Sequence, residues 1–330
     1  EAAGIRDIVE RVLGTRDRLS AAGISGLEVI VVDDGSTDGT AELASAVHGV
    51  TVLRHSGNRG YGAAIKTGFR AASGELLAFL DADGTYPPEA LPDLCQALFA
   101  DRADLVVGSR MTGLETGMPL TRRIGNWFFA RLVSLVGASA VSDSASGERV
   151  LRRDALQRLY PLPDGLNFTP AMTTRALHEG VVVVEVPIRY EQRTGRSKLS
   201  VLHDGRRFLS IIVWTALAYN PSRILGSVGL AMLACAGAIG LALVAMRAGG
   251  ITSLGPWGVA GAFATLVLGV AGTSLANLGI TFNYLVGLFH DEPIRQGLFG
   301  RPVLPGLDRW FGRLGMLASG VGIVVAMTSL

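Results

Sequence analysis

The chain has 330 residues, of which 49% are hydrophobic, and its formal net charge is +2. This length accommodates one α/β domain of about 200 residues together with a membrane region. The near-neutral charge provides no basic field and argues against nucleic acid as a partner. The two cysteines, Cys95 and Cys235, fit neither a disulfide framework nor a metal site.

The first third of the chain alternates between helical and strand patterns. Apolar residues at helical spacing predict an amphipathic helix over about residues 2–22. Short apolar runs predict strands at 27–32, 50–54, 75–80 and 105–107. Helices are predicted from about 38, from the motif at 58–62 to about 72, and from the motif at 87–89 to about 100. Continuous apolar strands alternating with helices are typical of an α/β fold with a doubly wound, mostly parallel, Rossmann-like sheet.

The pattern changes after about Pro119. A helix is predicted over 120–136, where it carries Arg122 and Arg123, and a strand over 181–188. Residues 199–219 mix Arg206 and Arg207 with large apolar side chains. This composition predicts an amphipathic helix lying on a membrane surface.

Long apolar stretches close the chain, and they are predicted to be membrane spans at 224–246, 257–289 and 314–330. The first span has about the length that a bilayer crossing needs, roughly 20 residues. The second is longer, so that it tilts or protrudes. Buried core helices are the alternative, and stretches of this length without charge disfavour it.

The charges of the loops indicate orientation. Basic residues flank the first span on its N-terminal side and fill the loop between the second and third spans: Arg206, Arg207, Arg223, Arg295, Arg301, Arg309 and Arg313. The loop between the first and second spans has only Arg247. Since cytoplasmic loops are enriched in Lys and Arg, we expect an integral membrane protein whose soluble domain faces the cytoplasm. A third span then places the C-terminus outside, unless a fourth follows.

Acidic residues follow two of the predicted strands, at the sheet edge where ligands of such folds bind. Asp81 and Asp83, one residue apart, can hold Mg²⁺ or Mn²⁺ against a diphosphate, because these cations prefer oxygen ligands. A solvated turn is the alternative for this short motif. Asp33 and Asp34 stand at another strand end, where a carboxylate can accept hydrogen bonds from a base or ribose; a turn and helix cap is the alternative there.

Taken together, these segments resemble family 2 glycosyltransferases of the GT-A fold, in particular polyprenyl-phosphate glycosyltransferases such as dolichyl-phosphate mannose synthases. The resemblance covers about residues 1–220. It rests on the motifs at 31–38, 58–62, 81–84, 87–89, 108–110, 146–149 and 193–199. It implies a GT-A domain over 1–198, an interfacial helix over 199–221 and a transmembrane region over 222–330.

The resemblance also implies roles for particular residues. Asp81 and Asp83 hold the metal and the donor diphosphate, and with Arg110 they are the expected catalytic residues. Donor binding is further expected of Asp34, Lys66 and Arg149. The acceptor phosphate is expected to be bound by Arg110, Arg123, Arg193, Ser197 and Lys198. Two features depart from the family pattern: Thr85 stands where Gln is frequent, and the family's first strand, which ends near Tyr-Asn-Glu, is expected to precede Glu1.

The expected reaction is transfer of a sugar, with inversion, from a nucleotide-diphosphate sugar to a polyprenyl phosphate on the cytoplasmic leaflet. A phosphate monoester has its second pKa at about 6, so that it needs no strong general base near pH 7. One alternative is another lipid or hydroxyl acceptor, which requires an Asp or Glu as base. The other is a non-catalytic membrane scaffold. The sugar, the nucleotide, the lipid length and the presence of a homo-oligomer are left open by the sequence.

Overall fold

The computed structural model describes residues 2–112, 117–136, 140–191, 201–251, 253–290, 313, 315–317 and 320. The chain forms two compact units, residues 1–216 and 217–330. The first unit contains all of the described strands, and the second consists of long helices.

The helices of the first unit are α1 (Ala2–Gly14), α2 (Arg16–Ala21), α3 (Thr40–Ser45), α4 (Tyr61–Ala71), α5 (Leu91–Ala100), α6 (Leu120–Val136), α7 (Arg153–Leu159), α8 (Phe168–His178) and α9 (Val201–Tyr219), the last of which runs into the second unit. The strands are β1 (Val29–Asp33), β2 (Val50–Arg54), β3 (Leu76–Phe79), β4 (Leu105–Ser109), β5 (Arg149–Arg152) and β6 (Val183–Pro187). The helix predicted over 2–22 is divided at Thr15, whose buried hydroxyl donates to the carbonyl of Val12 at 2.7 Å.

Every strand except β5 runs in the same direction as the other strands of its sheet, as predicted for a mostly parallel fold. β1 pairs in parallel with β2, and the order in the larger sheet is β3-β5-β4-β6. Within that sheet β3, β4 and β6 run in one direction, and only β5 runs against its neighbours. β5 was not predicted, because only two apolar residues lie between its terminal arginines.

Both faces of the larger sheet are buried. Leu105, Val107 and Leu151 point into one apolar cluster. Val106 and Val150 point into the other. Successive residues of a strand face opposite sides, so that a strand covered on both sides reads as a continuous apolar run. This double coverage holds the carboxyl ends of the strands, and the polar residues that follow them, in fixed positions.

The second unit contains α10 (Pro221–Ala248) and α11 (Pro256–His290), which correspond to the first two predicted spans. Both are long and apolar enough to cross a membrane, and only 11% and 6% of their most apolar windows are buried, unlike the core helices of a soluble protein. They approach closely at Gly229 and Gly272, where a Cβ on Gly229 would lie 2.6 Å from the Gly272 carbonyl oxygen. Small residues at such crossings are typical of helix packing in lipid. The third predicted span lies outside the described residues, apart from helical backbone at 315–317 and 320.

Candidate active site

The carboxylates of Asp81 and Asp83 are held in two different ways just after β3. The Tyr61 hydroxyl, from α4, donates to Asp81 Oδ1 at 2.8 Å. Asp83 Oδ1 accepts from the backbone N–H of Thr85 at 3.1 Å and from its hydroxyl at 2.5 Å. The first carboxylate is therefore oriented by a neighbouring helix, and the second stabilises its own turn.

The segment before β5 lies directly against Asp81. A Cβ added to Gly147 would lie between 2.5 and 2.8 Å from the Asp81 carboxyl atoms, so that a side chain here would displace that carboxylate. The Gly147 N–H donates to the Tyr86 hydroxyl at 2.7 Å. The motif at 146–149 and the Asp81 motif, which are far apart in the sequence, therefore belong to one site.

Tyr61 offers a conservative test of how Asp81 is oriented. Burial, together with the nearby charge of Asp81, raises the pKa of Tyr61 well above its ordinary value, so that the hydroxyl keeps its proton and donates. Tyr61→Phe retains the edge contact with Phe168 and removes the donor. If Asp81 binds the metal as predicted, the Mn²⁺ concentration for half-maximal activity should rise about tenfold, because residues that orient metal ligands typically contribute tenfold or more. The control is Tyr160→Phe, since Tyr160 is half-exposed. An unchanged Mn²⁺ requirement in Tyr61→Phe would contradict the role of Tyr61 in orienting Asp81.

Arg110, at the end of β4, is enclosed by partners. Its Nε and one terminal nitrogen each lie 2.7 Å from a different oxygen of Asp143, and its backbone N–H donates to the same carboxylate at 3.0 Å. The guanidinium also lies 5.7 Å from the ring centre of Tyr86 and 5.3 Å from that of Tyr190. Burial opposes its charge, but Asp143 more than offsets this effect and the pKa of Arg110 is raised above its ordinary value. The side chain is only 11% exposed, so that these partners hold a largely buried cation in a fixed position.

Glu148 and Arg149 are both fully buried beside this cluster. Arg149 donates to the carbonyls of Ser144 and Ser146 and to the Thr173 hydroxyl. Burial lowers its pKa to about 10, so that it remains a cation at neutral pH. Neither carboxyl oxygen of Glu148 has a hydrogen-bond partner among the described residues. Burial, with Glu89 and Asp81 nearby, raises the pKa of Glu148 to about 8, so that it is mostly neutral at pH 7.

The buried Glu148 predicts a dependence of stability on pH. The folded chain retains this proton between about pH 4.5 and 8, where an unfolded glutamate has lost it. Stability is therefore lost as the pH rises through this range, at about 1.4 kcal/mol per pH unit. Glu148→Gln cannot ionise, so that it should match the wild type near pH 5 and exceed it by a few kcal/mol at pH 8. Thermal unfolding at both pH values measures this, with the exposed Glu10→Gln as control. A wild-type-to-variant difference that is the same at both pH values would contradict the interpretation.

Asp34 organises the loop that precedes α4. Its carboxylate accepts the backbone N–H groups of Arg59 and Gly60, each at 2.8 Å, and lies 2.7 Å from Nδ1 of His55. Lys66 lies on α4, where its Nζ is 2.6 Å from Asp164 Oδ1 and donates to the Leu162 carbonyl at 2.8 Å. The structure thus uses Asp34 to join two loops and Lys66 to join α4 to the segment at 162–164, and the contact of these two residues with a nucleotide stays a prediction.

The predicted acceptor residues are described only in part. Arg123 is exposed on α6, and Arg110 has the partners given above. Arg193, Ser197 and Lys198 lie outside the described residues, so that their role stays a prediction. No role was assigned from the sequence to five further residues around the site, although two of them stand in the motifs at 58–62 and 146–149: Tyr61, Tyr86, Asp143, Glu148 and Tyr190. Asp143 lies in a segment of small residues, 142–147, and this local composition is the only sequence signal near it.

The carboxylates after β3 could hold a hard divalent cation only together with oxygen ligands from a substrate. Among the described residues, no group of three or more His, Cys, Asp or Glu side chains could hold a metal ion. Mg²⁺ is usually held by one or two carboxylates together with substrate phosphates and water. Asp81 and Asp83 fit this arrangement.

A mostly parallel sheet with paired carboxylates at a strand end defines the first unit as a transferase domain of the GT-A type. Comparison with family models agrees with this class. The model described as "Glycosyl transferase family 2" matches residues 1–160, and the model described as "Domain of unknown function (DUF8752)" matches residues 221–330. Together with the relatives below, this shows that the chain belongs to glycosyltransferase family 2.

Two curated relatives are from Haloferax volcanii. The low-salt glycan biosynthesis hexosyltransferase Agl6 is 33% identical over 66% of this chain and 52% of its own length, so that this chain matches about half of that relative. The dolichyl-phosphate hexose transferase is 34% identical over 62% of this chain and 87% of its own length. Among solved structures, glucosyl-3-phosphoglycerate synthase from Mycobacterium tuberculosis, in complex with Mn²⁺, UDP and phosphoglyceric acid, superimposes with a TM-score of 0.53 at 21% identity, over 66% of this chain and 75% of that one. This last likeness shows the fold.

Proposed function

We propose that this glycosyltransferase moves a sugar from a nucleotide-diphosphate donor to a polyprenyl phosphate on the cytoplasmic leaflet, with inversion at the anomeric carbon. The observation that carries the proposal is the position of Tyr86. Its hydroxyl accepts from Gly147, which is packed against Asp81, and its ring lies 5.7 Å from the guanidinium of Arg110. One buried tyrosine therefore connects a carboxylate suited to a metal and diphosphate with a cation suited to a second phosphate.

On the donor side, Asp81 and Asp83 would hold the divalent metal. When bound, the metal supplies a Lewis acid that neutralises the charge of the leaving diphosphate. The M. tuberculosis synthase of the same fold is described with Mn²⁺ and UDP, which supports a divalent metal and a nucleotide as ligands of this chain. Asp34 holds the loop at 58–60 in place, and buried Arg149 contributes a positive charge behind the site. Both are proposed to act on donor binding.

On the acceptor side, Arg110 would orient the lipid phosphate, together with Arg123, Arg193, Ser197 and Lys198. Arg110 is suited to this because Asp143 and two aromatic rings fix its planar guanidinium in position. An acceptor phosphate that is already anionic needs no base. Two carboxyl groups near Arg110 agree with a reaction that needs no base. Asp143 is paired with Arg110, and Glu148 is buried and mostly neutral. Catalysis would then rest on positioning and on electrostatic stabilisation.

The surface of α6 supports a site at the membrane. Four large apolar side chains are exposed on this helix: Leu120 (71%), Ile124 (58%), Trp127 (60%) and Phe128 (51%). Their spacing places them on one helical face. An exposed apolar face flanked by arginines suits the boundary between headgroups and acyl chains. The loop charges favour the cytoplasmic side, and the name of the dolichyl-phosphate hexose transferase favours a lipid phosphate as acceptor.

The test uses the full chain in lipid nanodiscs with Mg²⁺ or Mn²⁺. Each of a panel of nucleotide sugars is supplied with either a polyprenyl phosphate or the matching polyprenol, and products are identified by mass spectrometry. We expect a sugar-phospholipid from the phosphate acceptor with one donor, and none from the polyprenol. The linkage, determined by NMR, should be inverted relative to the donor.

The remaining outcomes separate the alternatives. Product from the polyprenol would show a hydroxyl acceptor and contradict the proposal. No product with any donor, from protein with an intact thermal unfolding transition, would favour the scaffold role.

A further inference from the structure

A cleft separate from the Asp81 site lies in the first unit, between the segment before α8 and one face of α9. Its volume is about 440 Å³. It is lined by Gly165, Asn167, Arg206, Arg207, Ser210, Ile211 and Trp214. None of these residues takes part in the contacts around Asp81, Arg110 or Asp34 described above. The cleft is therefore distinct from the contacts that hold Asp81, Arg110 and Asp34 in place.

The polar lining of the cleft favours an anion. Arg206 and Arg207 are exposed, and among the described residues that line the cleft none is acidic. Ser210 adds a hydroxyl on the same helix face. Asn167 stands at the N-cap of α8, but its side chain makes no capping hydrogen bond with that helix. Two guanidinium groups with hydroxyl and amide donors form the kind of set that binds a phosphate group.

The remaining lining of the cleft is apolar, which indicates that the phosphate belongs to a molecule with an apolar part. The Trp214 side chain is 69% exposed, which is unusual for the largest apolar side chain. Ile211 is half-buried, and it packs against the apolar clusters below the cleft. Residues 207, 211 and 214 fall on one face of α9, so that cation and aromatic ring follow each other along the helix. Tryptophan beside a basic residue is typical of the membrane–water interface.

We propose that this cleft binds the phosphate group of an anionic membrane phospholipid, with Arg206 and Arg207 on the phosphate and Trp214 against the start of the acyl chains. Such a contact fixes α9 at the headgroup layer and makes the position of the catalytic unit depend on the charge of the membrane. The inference is independent of the transfer reaction, because it concerns binding by residues that lie outside the catalytic cluster.

The experiment measures lipid binding without turnover. The full chain in a neutral detergent is titrated with phosphatidylglycerol, with phosphatidylcholine or with inorganic phosphate, and bound lipid is counted by native mass spectrometry. We expect phosphatidylglycerol to bind at least about tenfold more tightly than phosphatidylcholine, and Arg206→Gln/Arg207→Gln to remove this preference. Arg206→Lys/Arg207→Lys should retain part of it, which separates loss of charge from loss of fold. Arg6→Gln/Arg16→Gln removes the same charge from exposed positions on α1 and α2 and should bind as the wild type.

A second readout comes from Trp214. In a variant that keeps Trp214 as its only tryptophan, brominated phosphatidylglycerol should quench the emission more strongly than brominated phosphatidylcholine. Equal binding or equal quenching by the two lipids would overturn the proposal, as would a loss of the same size in the Arg6/Arg16 double variant. Binding of inorganic phosphate as tight as that of phosphatidylglycerol would show that the cleft recognises a free anion, and this would overturn the lipid as its ligand.

Discussion

Asp83→Ala should reduce kcat/KM for the nucleotide sugar by at least about a thousandfold. Asp81 and Asp83 are the two carboxylates at this strand end, and the described residues offer no alternative metal cluster that could replace one of them. A metal at a leaving diphosphate contributes several kcal/mol of transition-state stabilisation, and each 1.4 kcal/mol is a factor of ten in rate. Steady-state kinetics over a range of Mn²⁺ concentrations measures the loss, together with Mn²⁺ binding followed by electron paramagnetic resonance.

Asp83 also stabilises its own turn through Thr85, so that the variant needs a control for structure. Asp83→Asn keeps the acceptor oxygen for that turn and removes the charge, and it should be as inactive as Asp83→Ala. Asp101→Ala removes an exposed carboxylate at the end of α5 and should leave kinetics unchanged. If Asp83→Asn retained turnover with an unchanged Mn²⁺ requirement, the carboxylate would serve the turn alone.

Much of the fold follows from local patterns in the sequence. β2 and α6 have the predicted bounds, because a continuous apolar run and a long helical repeat are strong local signals. β5 and α8 were not predicted, for two different reasons. In β5 the apolar run is only Val150-Leu151, and the strand exists because neighbours on both sides pair with it. α8 is buried on nearly every side, so that it lacks the amphipathic pattern that reveals a surface helix.

The candidate site was predictable where one residue type is informative by itself. Asp81 and Asp83 could be identified because two acids one residue apart after an apolar run form a local motif whose oxygens suit a divalent cation. The pair formed by Arg110 and Asp143 joins residues 33 positions apart, and nothing in the local sequence specifies that contact. The same holds for Tyr61, whose hydroxyl reaches Asp81 from another element. The sequence therefore indicates which residues carry charge, and the tertiary fold decides which of these charges are already paired.

Asp143→Ala should be the most destabilising single change near the site. Asp143 is fully buried and binds Arg110 through both carboxylate oxygens, while Asn126 donates to it at 2.9 Å. Its removal leaves a buried guanidinium without its counter-charge, and breaking such pairs typically costs about 3–5 kcal/mol. For a domain of this size that corresponds to a fall in Tm of roughly 10 °C, which thermal unfolding in detergent measures. Because the cost arises from the unpaired charge of Arg110, Arg110→Met/Asp143→Leu should recover most of the stability.

The double variant separates structure from catalysis. If Arg110 orients the acceptor phosphate, Arg110→Met/Asp143→Leu should be stable and yet have a raised KM for polyprenyl phosphate, with donor KM nearly unchanged. Glu42→Ala breaks the exposed pair with Arg54 and should cost less than about 1 kcal/mol, as exposed pairs do. A double variant with wild-type KM for the acceptor would assign Arg110 to folding alone. In that case the acceptor phosphate would have to be oriented by Arg123, Arg193, Ser197 and Lys198, and the corresponding single substitutions would test them one by one.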